Sequence, residues 1–349
     1  MNLEHGPASR AIPVWAAVAI AVGAGVLTAI QSRINGQLAA RAGDSTVAAA
    51  VSFGSGLVIL LVVLAVWRPG RVGFAEVRRA LARGDLRWWM LLGGLAGAWF
   101  VTTQTLTAAV VGVAVFTVAI VAGQTLGGLA FDVLGVGPGG RRPVTATRVV
   151  GALLALAAIG WAMSVQVAHA IDLWLVVLPF SAGLVVAWQQ AVNGRVKAAA
   201  GSALTSTVVN FAVGTAALVA VLVVHAAVVG LPASMPAEPW LYVGGALGCL
   251  FIAAQAFVVR TIGVLVLALA GVAGQLAAAL VLDLVLPTGS GAVEFATVGG
   301  ALLAFAAVAV ASMPPRGRRP RSARRRTEPA GTGHPSRPGE PAAVDDAAR

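Results

Sequence analysis

Charge is what this sequence has least of. Only 11% of its 349 residues are Asp, Glu, Lys or Arg, against about 25% in soluble domains. A large core does not account for the deficit, because surface grows with the chain and must still be wetted. Cysteine is nearly missing too. Cys249 stands alone, so no internal disulfide forms and nothing points to an oxidised compartment; its apolar run is that of a packed thiol. His5, His169, His225 and His334 are scattered, and no His-Glu-x-x-His, phosphate loop, nucleophile elbow or Cys/His cluster is present. An ATP-driven pump, an intramembrane hydrolase and a metal centre therefore lack a motif. The expectation is a non-enzyme without metal or cofactor.

What is abundant is apolar. Hydrophobic residues make up 58% of the chain, mean hydropathy is +0.89, and the apolar residues come in runs such as Trp15 to Ile30, Val149 to Met163 and Val298 to Ala311. Runs of about 20 residues match the hydrocarbon thickness a helix must cross. β-barrel strands alternate apolar and polar residues instead, and are excluded. Cutting at charged and Pro/Gly-rich breaks predicts about ten spans: 12–38, 46–67, 88–109, 112–133, 146–164, 173–197, 204–229, 239–259, 262–285 and 293–313. Trp15, Trp67, Trp88, Trp89, Trp161, Trp174 and Trp240 fall near their ends, as interfacial anchors do.

The breaks alternate in charge. Arg68 to Arg87 holds six arginines and Gly135 to Arg148 holds Arg141, Arg142 and Arg148, whereas Val165–Asp172, Gly230–Glu238 and Leu286–Ala292 hold no Lys or Arg. Positive charge resists translocation, so the basic loops, with Arg195, Lys197 and Arg260, are placed inside and both termini in the cytoplasm. Arg33 and Arg41 are the exceptions, and Arg260 snorkels to the inner interface. The formal charge of +11 thus reports topology, not nucleic acid. Residues 1–11 form a short cytoplasmic N-terminus without a cleavable signal, and 314–349 a basic tail too poor in apolar residues to fold. Arg316 to Arg326 in that tail fixes topology or touches anionic head groups.

The chain repeats itself. Gln31, Asn35, Gly36, Gly43 and Phe53 match Gln189, Asn193, Gly194, Gly201 and Phe211 at one constant offset. Trp89, Gly93, Gly94, Gly97, Phe100, Gln104, Gly112, Gly123, Gln124 and Asp132 match Trp240, Gly244, Gly245, Gly248, Phe251, Gln255, Gly263, Gly274, Gln275 and Asp283 at a second offset. Two copies are expected, 12–165 and 166–313. Each has an odd number of spans, so the second enters from the opposite side. Inverted repeats of this kind recur in secondary transporters, with the substrate near the midplane between them.

Polar side chains in hydrocarbon need a partner or a wet cavity. Gln31 with Asn35, and Gln189 with Asn193, sit four apart on one helix face and either line the two ends of a substrate pathway or tie helices together. Gln124 and Gln275, each after a Gly, fall mid-span, where amides bind substrate or bridge helices; Gln104 and Gln255 are a third pair. Asp132 and Asp283 lie about two turns further on, and serve as caps or gates or, desolvated, as proton carriers. Glycines four apart (Gly93/Gly97, Gly244/Gly248, Gly123/Gly127) allow close packing. Trp99 and Trp188 lie deeper and either pack or stack on an aromatic or cationic solute.

The Gln-x-x-x-Asn-Gly end of the first span, and the Ala-Gly-Gln followed eight residues later by Asp in the fourth, are similar to the YdcZ-like branch of the drug/metabolite transporter superfamily. The resemblance covers about residues 12–313 in both halves and implies the fused form of a unit that otherwise pairs with its own kind. It implies an all-α bacterial inner-membrane exporter of small solutes. The wider superfamily's small multidrug exporters carry a Glu in the first span; neither first span here holds an acid, so that coupling site does not transfer. The leading expectation is a secondary transporter working by alternating access, monomeric as the fused pair, with lipid bilayer and a small solute as its partners. A passive facilitator and a membrane scaffold are the alternatives.

Overall fold

The structure, a computed structural model, describes residues 12–111, 113–162, 173–285 and 295–313. The N-terminus, the basic tail and residues 163–172 and 286–294 lie outside the described residues.

Among the described residues all regular structure is helical. Helix α1 runs Val14–Ala42 and ends on Gly43. Asp44 then caps α2 (Ser45–Val66), its carboxylate accepting from the Thr46 and Val47 N–H groups. The second copy uses the same hairpin: α7 (Leu173–Ala200) is followed by Gly201 and by Ser202, which caps α8 (Ala203–Val228). A short polar cap before an apolar run satisfies orphan N–H groups at the helix start. The two hairpins therefore fold alike from the matched Gly and the cap beside it.

The arginine-rich break after α2 is not a plain loop. It contains α3 (Arg68–Ala82), whose Gly70, Gly73, Val77 and Ala80 form one buried stripe. A 3-10 segment, Trp88–Gly94, leads into α4 (Leu95–Val111); α5 (Val113–Leu134) and α6 (Ala146–Ala162) follow. In the second copy Pro239–Tyr242 leads into α9 (Gly244–Val285), and α10 (Phe295–Ser312) closes the body. The expected spans 239–259, apart from its 3-10 start, and 262–285 both lie in α9, which breaks at Gly263. There φ is 84°, a conformation only glycine takes without strain.

Val14–Ala42, Ser45–Val66, Ala203–Val228 and Pro239–Ala278 are each long and apolar enough to cross a membrane, and Ala119–Leu134, Ala146–Ala158 and Val298–Ser312 are shorter apolar helices. Leu153 and Leu302 at mid-helix, and Val62 and Val223 nearer the ends of α2 and α8, are all more than half exposed. Water would penalise such outward faces, whereas lipid does not. The main core is alanine-rich, with Ala17, Ala21, Ala155, Ala158, Ala304 and Ala307 around Leu265 and Leu269.

The helices pair chiefly across the copies: α1 on α9, α5 on α7, α6 on α10 and α2 on α8. The contacts are reciprocal. A Cβ on Gly25 would lie 2.0 Å from the Gly271 carbonyl oxygen, and one on the matched Gly183 would lie 2.0 Å from that of Ile120. Gly274 meets the Val22 carbonyl oxygen as Gly123 meets that of Phe180. Between α2 and α8, the matched Phe53 and Phe211 rings sit 5.2 Å apart. Bare glycine faces let the backbones approach this closely, and dispersion over the shared surface holds them there.

Candidate functional site

The matched amides gather in two clusters. At the C-terminal end of α7, Gln189 and Asn193 are each 6% exposed and face Asn210 of α8, which is 1% exposed. Gln189 Nε2 and Asn193 Nδ2 both donate to Asn210 Oδ1 at 2.9 Å. Ser206 Oγ donates to the Asn193 carbonyl oxygen at 2.7 Å. The 3-10 segment before α4 closes over them, since a Cβ on Gly93 would sit 2.6 Å from Asn193 Oδ1. One acceptor thus holds two amides in a water-poor pocket, where hydrogen bonds are strong and unmade ones costly. In this pocket Asn210 Nδ2 is buried with no hydrogen-bond partner among the described residues.

The other cluster is looser. At the end of α1, Asn35 Nδ2 donates to Ser52 Oγ at 3.1 Å and Gln31 Nε2 to the Gly244 carbonyl oxygen at 2.8 Å. Ser52 stands where the second copy has Asn210. Its shorter hydroxyl takes only Asn35, and Gln31 turns to the backbone of α9. Gln31 and Asn35 are only half-buried.

The remaining amides do not join these clusters. Gln124, Gln255 and Gln275 are half-buried, and their side chains form no hydrogen bond among the described residues. The side chains of Gln104 and Asp283 lie outside the described residues. Trp99 Nε1 donates to Ser181 Oγ at 3.0 Å, and Trp188 stacks on Trp89 with centroids 6.4 Å apart. Both deep tryptophans thus have partners inside the protein.

Asp132, 2% exposed, reaches across the copies. Its Oδ1 accepts from Val264 N–H at 2.8 Å and its Oδ2 from Leu265 N–H at 3.2 Å. These are the first free N–H groups after the Gly263 break, so the carboxylate caps the second part of α9 and meets its positive dipole end. Arg148 pairs with Oδ2. Beside it Arg142 donates to the carbonyl oxygens of Arg260 and Thr261 at 2.8 and 2.9 Å, where the first part of α9 ends. Arg195 ties α7 to the same loop through the Val136 and Gly135 carbonyl oxygens. Here Asp132 acts as a cross-copy cap inside a buried ion pair.

The end that holds Gln31 and Asn35 has its own charged groups. Asp44 Oδ2 lies 2.7 Å from His225 Nε2 at the end of α8, and Arg41 pairs with Glu238 and lies over the Trp240 ring. Burial pushes the Asp44 carboxyl up. The Val47 N–H, the His225 hydrogen bond, the Thr46 N–H and the His225 charge outweigh it and hold the group below its ordinary value. Asn210, Ser52, Asp44 and His225 were not singled out as site residues from sequence. Asn210 and Ser52 could have been, because each directly precedes the matched Phe.

No group of His, Cys, Asp and Glu among the described residues could hold a metal ion. A family model described as "Putative inner membrane exporter, YdcZ" matches twice, over residues 16–161 and 174–310. No curated protein matches the sequence.

Proposed function

The chain belongs to the YdcZ family of inner membrane exporters, and from that premise we propose that it moves a small solute by alternating access between two oppositely oriented copies. It is a multi-pass protein of the inner membrane and a membrane transporter in kind; topology, direction and mechanism are the proposal. The observation that carries it is the pairing of matched amide clusters, one fully buried around Asn210 and one whose Gln31 and Asn35 are only partly buried beside Ser52. Two gates built from the same motif at opposite ends, one shut and one loose, suit a cycle in which they exchange states. The reciprocal glycine and Phe53–Phe211 contacts give the copies a common surface to rock on.

Both termini are placed in the cytoplasm. Supporting this, the Arg142, Arg148, Arg195 and Arg260 region lies with the sealed cluster, while the other end has Arg41 neutralised by Glu238. The pathway runs from Gln31 and Asn35 past Gln124 and Gln275 to Gln189 and Asn193, with Gln255 beside it. These groups are neutral, so the favoured solute is uncharged or zwitterionic and recognised by hydrogen bonds. A neutral lining also suits a passive facilitator, but the sealed cluster weighs against a standing pore.

The test needs no known solute. In a Cys249→Ala background, N35C and S52C are bridged by a short thiol cross-linker, and accessibility at the other end is read with a membrane-impermeant maleimide at Gln189→Cys. Alternating access expects labelling from the cytoplasmic side to rise when the Asn35–Ser52 end is locked. Unchanged labelling would sink the reading.

A further inference from the structure

Helix α3 has one face that the protein covers and one that it leaves charged. Gly70, Gly73, Val77 and Ala80 are buried, and Thr205 Oγ1 donates to the Gly70 carbonyl oxygen at 2.9 Å. Val77 and Ala80 pack on Val196 and Ala200 of α7. The helix therefore lies across the ends of α7 and α8 that carry Asn193, Ser206 and Asn210. Arg68, Arg71, Arg78 and Arg79 are exposed on the outward side. Arg79 pairs with Glu76, the one acid in the helix, and Arg71 donates to the Ala65 carbonyl oxygen. Arg68 and Arg78 have no acidic partner among the described residues.

Two further observations set the depth of this helix. Trp67 and Trp88 flank it and are 57% and 69% exposed, as indole rings are at the head-group level. Val66 and Val72 are exposed beside them. An amphipathic helix with a basic outer face, bracketed by interfacial tryptophans, lies in the plane of the interface. The matched stretch of the second copy, Gly230–Glu238, has no Lys or Arg and no helix.

We propose that α3 is a binding surface for anionic phospholipid head groups, and that the bound lipid clamps the ends of α7 and α8 which hold the Asn193–Asn210 cluster. Arg71 and Arg78, two turns apart on one flank, with Arg68 next to them, present guanidinium groups to lipid phosphates. Lipid pinned to α3 opposes any separation of α7 from α8 because Gly70 and Val77 transmit the restraint to both helices. The inference stands whether or not the two clusters alternate as gates.

The test uses the full chain in nanodiscs of phosphatidylglycerol or of phosphatidylcholine. Amide hydrogen exchange is followed at the end of α7, and bound lipids are counted by native mass spectrometry. Phosphatidylglycerol is expected to slow exchange there and to remain bound, and inorganic phosphate is expected to do neither. In R68Q/R71Q/R78Q the slowing should vanish, with apparent lipid affinity falling about fivefold for each arginine removed. Should the triple variant fail to fold, R78Q alone is measured, since Arg78 is exposed and its loss disturbs no packing. Replacing the tail arginines between 316 and 326 should leave the effect intact. Equal exchange in the two lipids, full binding by the α3 variants, loss only in the tail variant, or an equal effect of inorganic phosphate would each overturn the proposal.

Discussion

The two ends of the molecule are built from one motif and finished differently. At the end of α7, one asparagine acceptor gathers two amides; at the end of α1, a serine in the same position takes one and releases the other to a backbone carbonyl. The sealed end is braced by the buried Asp132–Arg148 pair and by α3. The looser end is braced by the exposed Arg41–Glu238 pair and by Asp44–His225. Duplication supplied the shared amides, and the neighbours of those amides decide how tightly each end closes.

Breaking the bracing should have the largest effect. Arg148→Ala removes the guanidinium paired with buried Asp132 and leaves only neighbouring Arg142 to offset it, an expected loss of about 3 kcal/mol. Arg41→Ala at the other end should cost under about 1 kcal/mol, because solvent already screens that pair. Unfolding in detergent measures both, and similar losses would erase the distinction between the ends.

The reciprocal glycines come next. Gly25→Val and Gly183→Val each drive carbon into a carbonyl oxygen that a Cβ would approach to 2.0 Å. Each should cost about 1–3 kcal/mol or more through helix displacement. Thermal unfolding of the two variants should give matching shifts; a benign Gly183→Val would show that the contact is not shared equally.

Swapping the acceptors is a finer test. Asn210→Ser removes the bridging acceptor and should cost about 1–3 kcal/mol, chiefly from amides left unpaired in a buried pocket. Ser52→Asn should tighten the looser end and slow hydrogen exchange at the end of α1. Faster exchange there would contradict the idea that this single position sets the difference.

The smallest effect is expected from pH. Asp44 is held below its ordinary value by its cap and His225 contacts. Its contribution is therefore full above the pKa of the unfolded chain and is lost as pH falls through the folded one. Acid titration of thermal stability should be steeper in the wild type than in Asp44→Asn, which keeps the cap but does not titrate. Superimposable curves would remove Asp44 from the account.

Much of this was legible in sequence. The apolar runs announced the helices, and among the matched positions Gly123, Gly274, Phe53 and Phe211 meet the other copy. Three things were not legible. The arginine-rich break concealed α3, because its charges dominated a stripe made of small residues, Gly70, Gly73 and Ala80, with Val77 between them and Phe74 and Leu81 beside it. Asp132 could be seen as a cap or gate, but its targets Val264 and Leu265 lie in the other copy, and no local spacing names a partner that distant. The difference between the ends hung on Ser52 and Asn210, which sequence shows as an imperfect match beside a perfect one. Chemistry made that mismatch matter: an amide acceptor reaches two neighbours and a hydroxyl reaches one.

The exchanged pairing of α1 with α9 bears on how the protein is made. Helix α1 leaves the ribosome first, yet the Gly271 and Gly244 backbones that receive Gly25 and Gln31 are encoded in α9. At about 5–20 residues per second, α1 waits on the order of 10–50 s for that partner. Throughout this interval its amides sit in the bilayer or the insertion machinery with only lipid, water or a chaperone to satisfy them. Biogenesis, more than the finished fold, is then the stage at which Gln31 and Asn35 are most exposed to quality control.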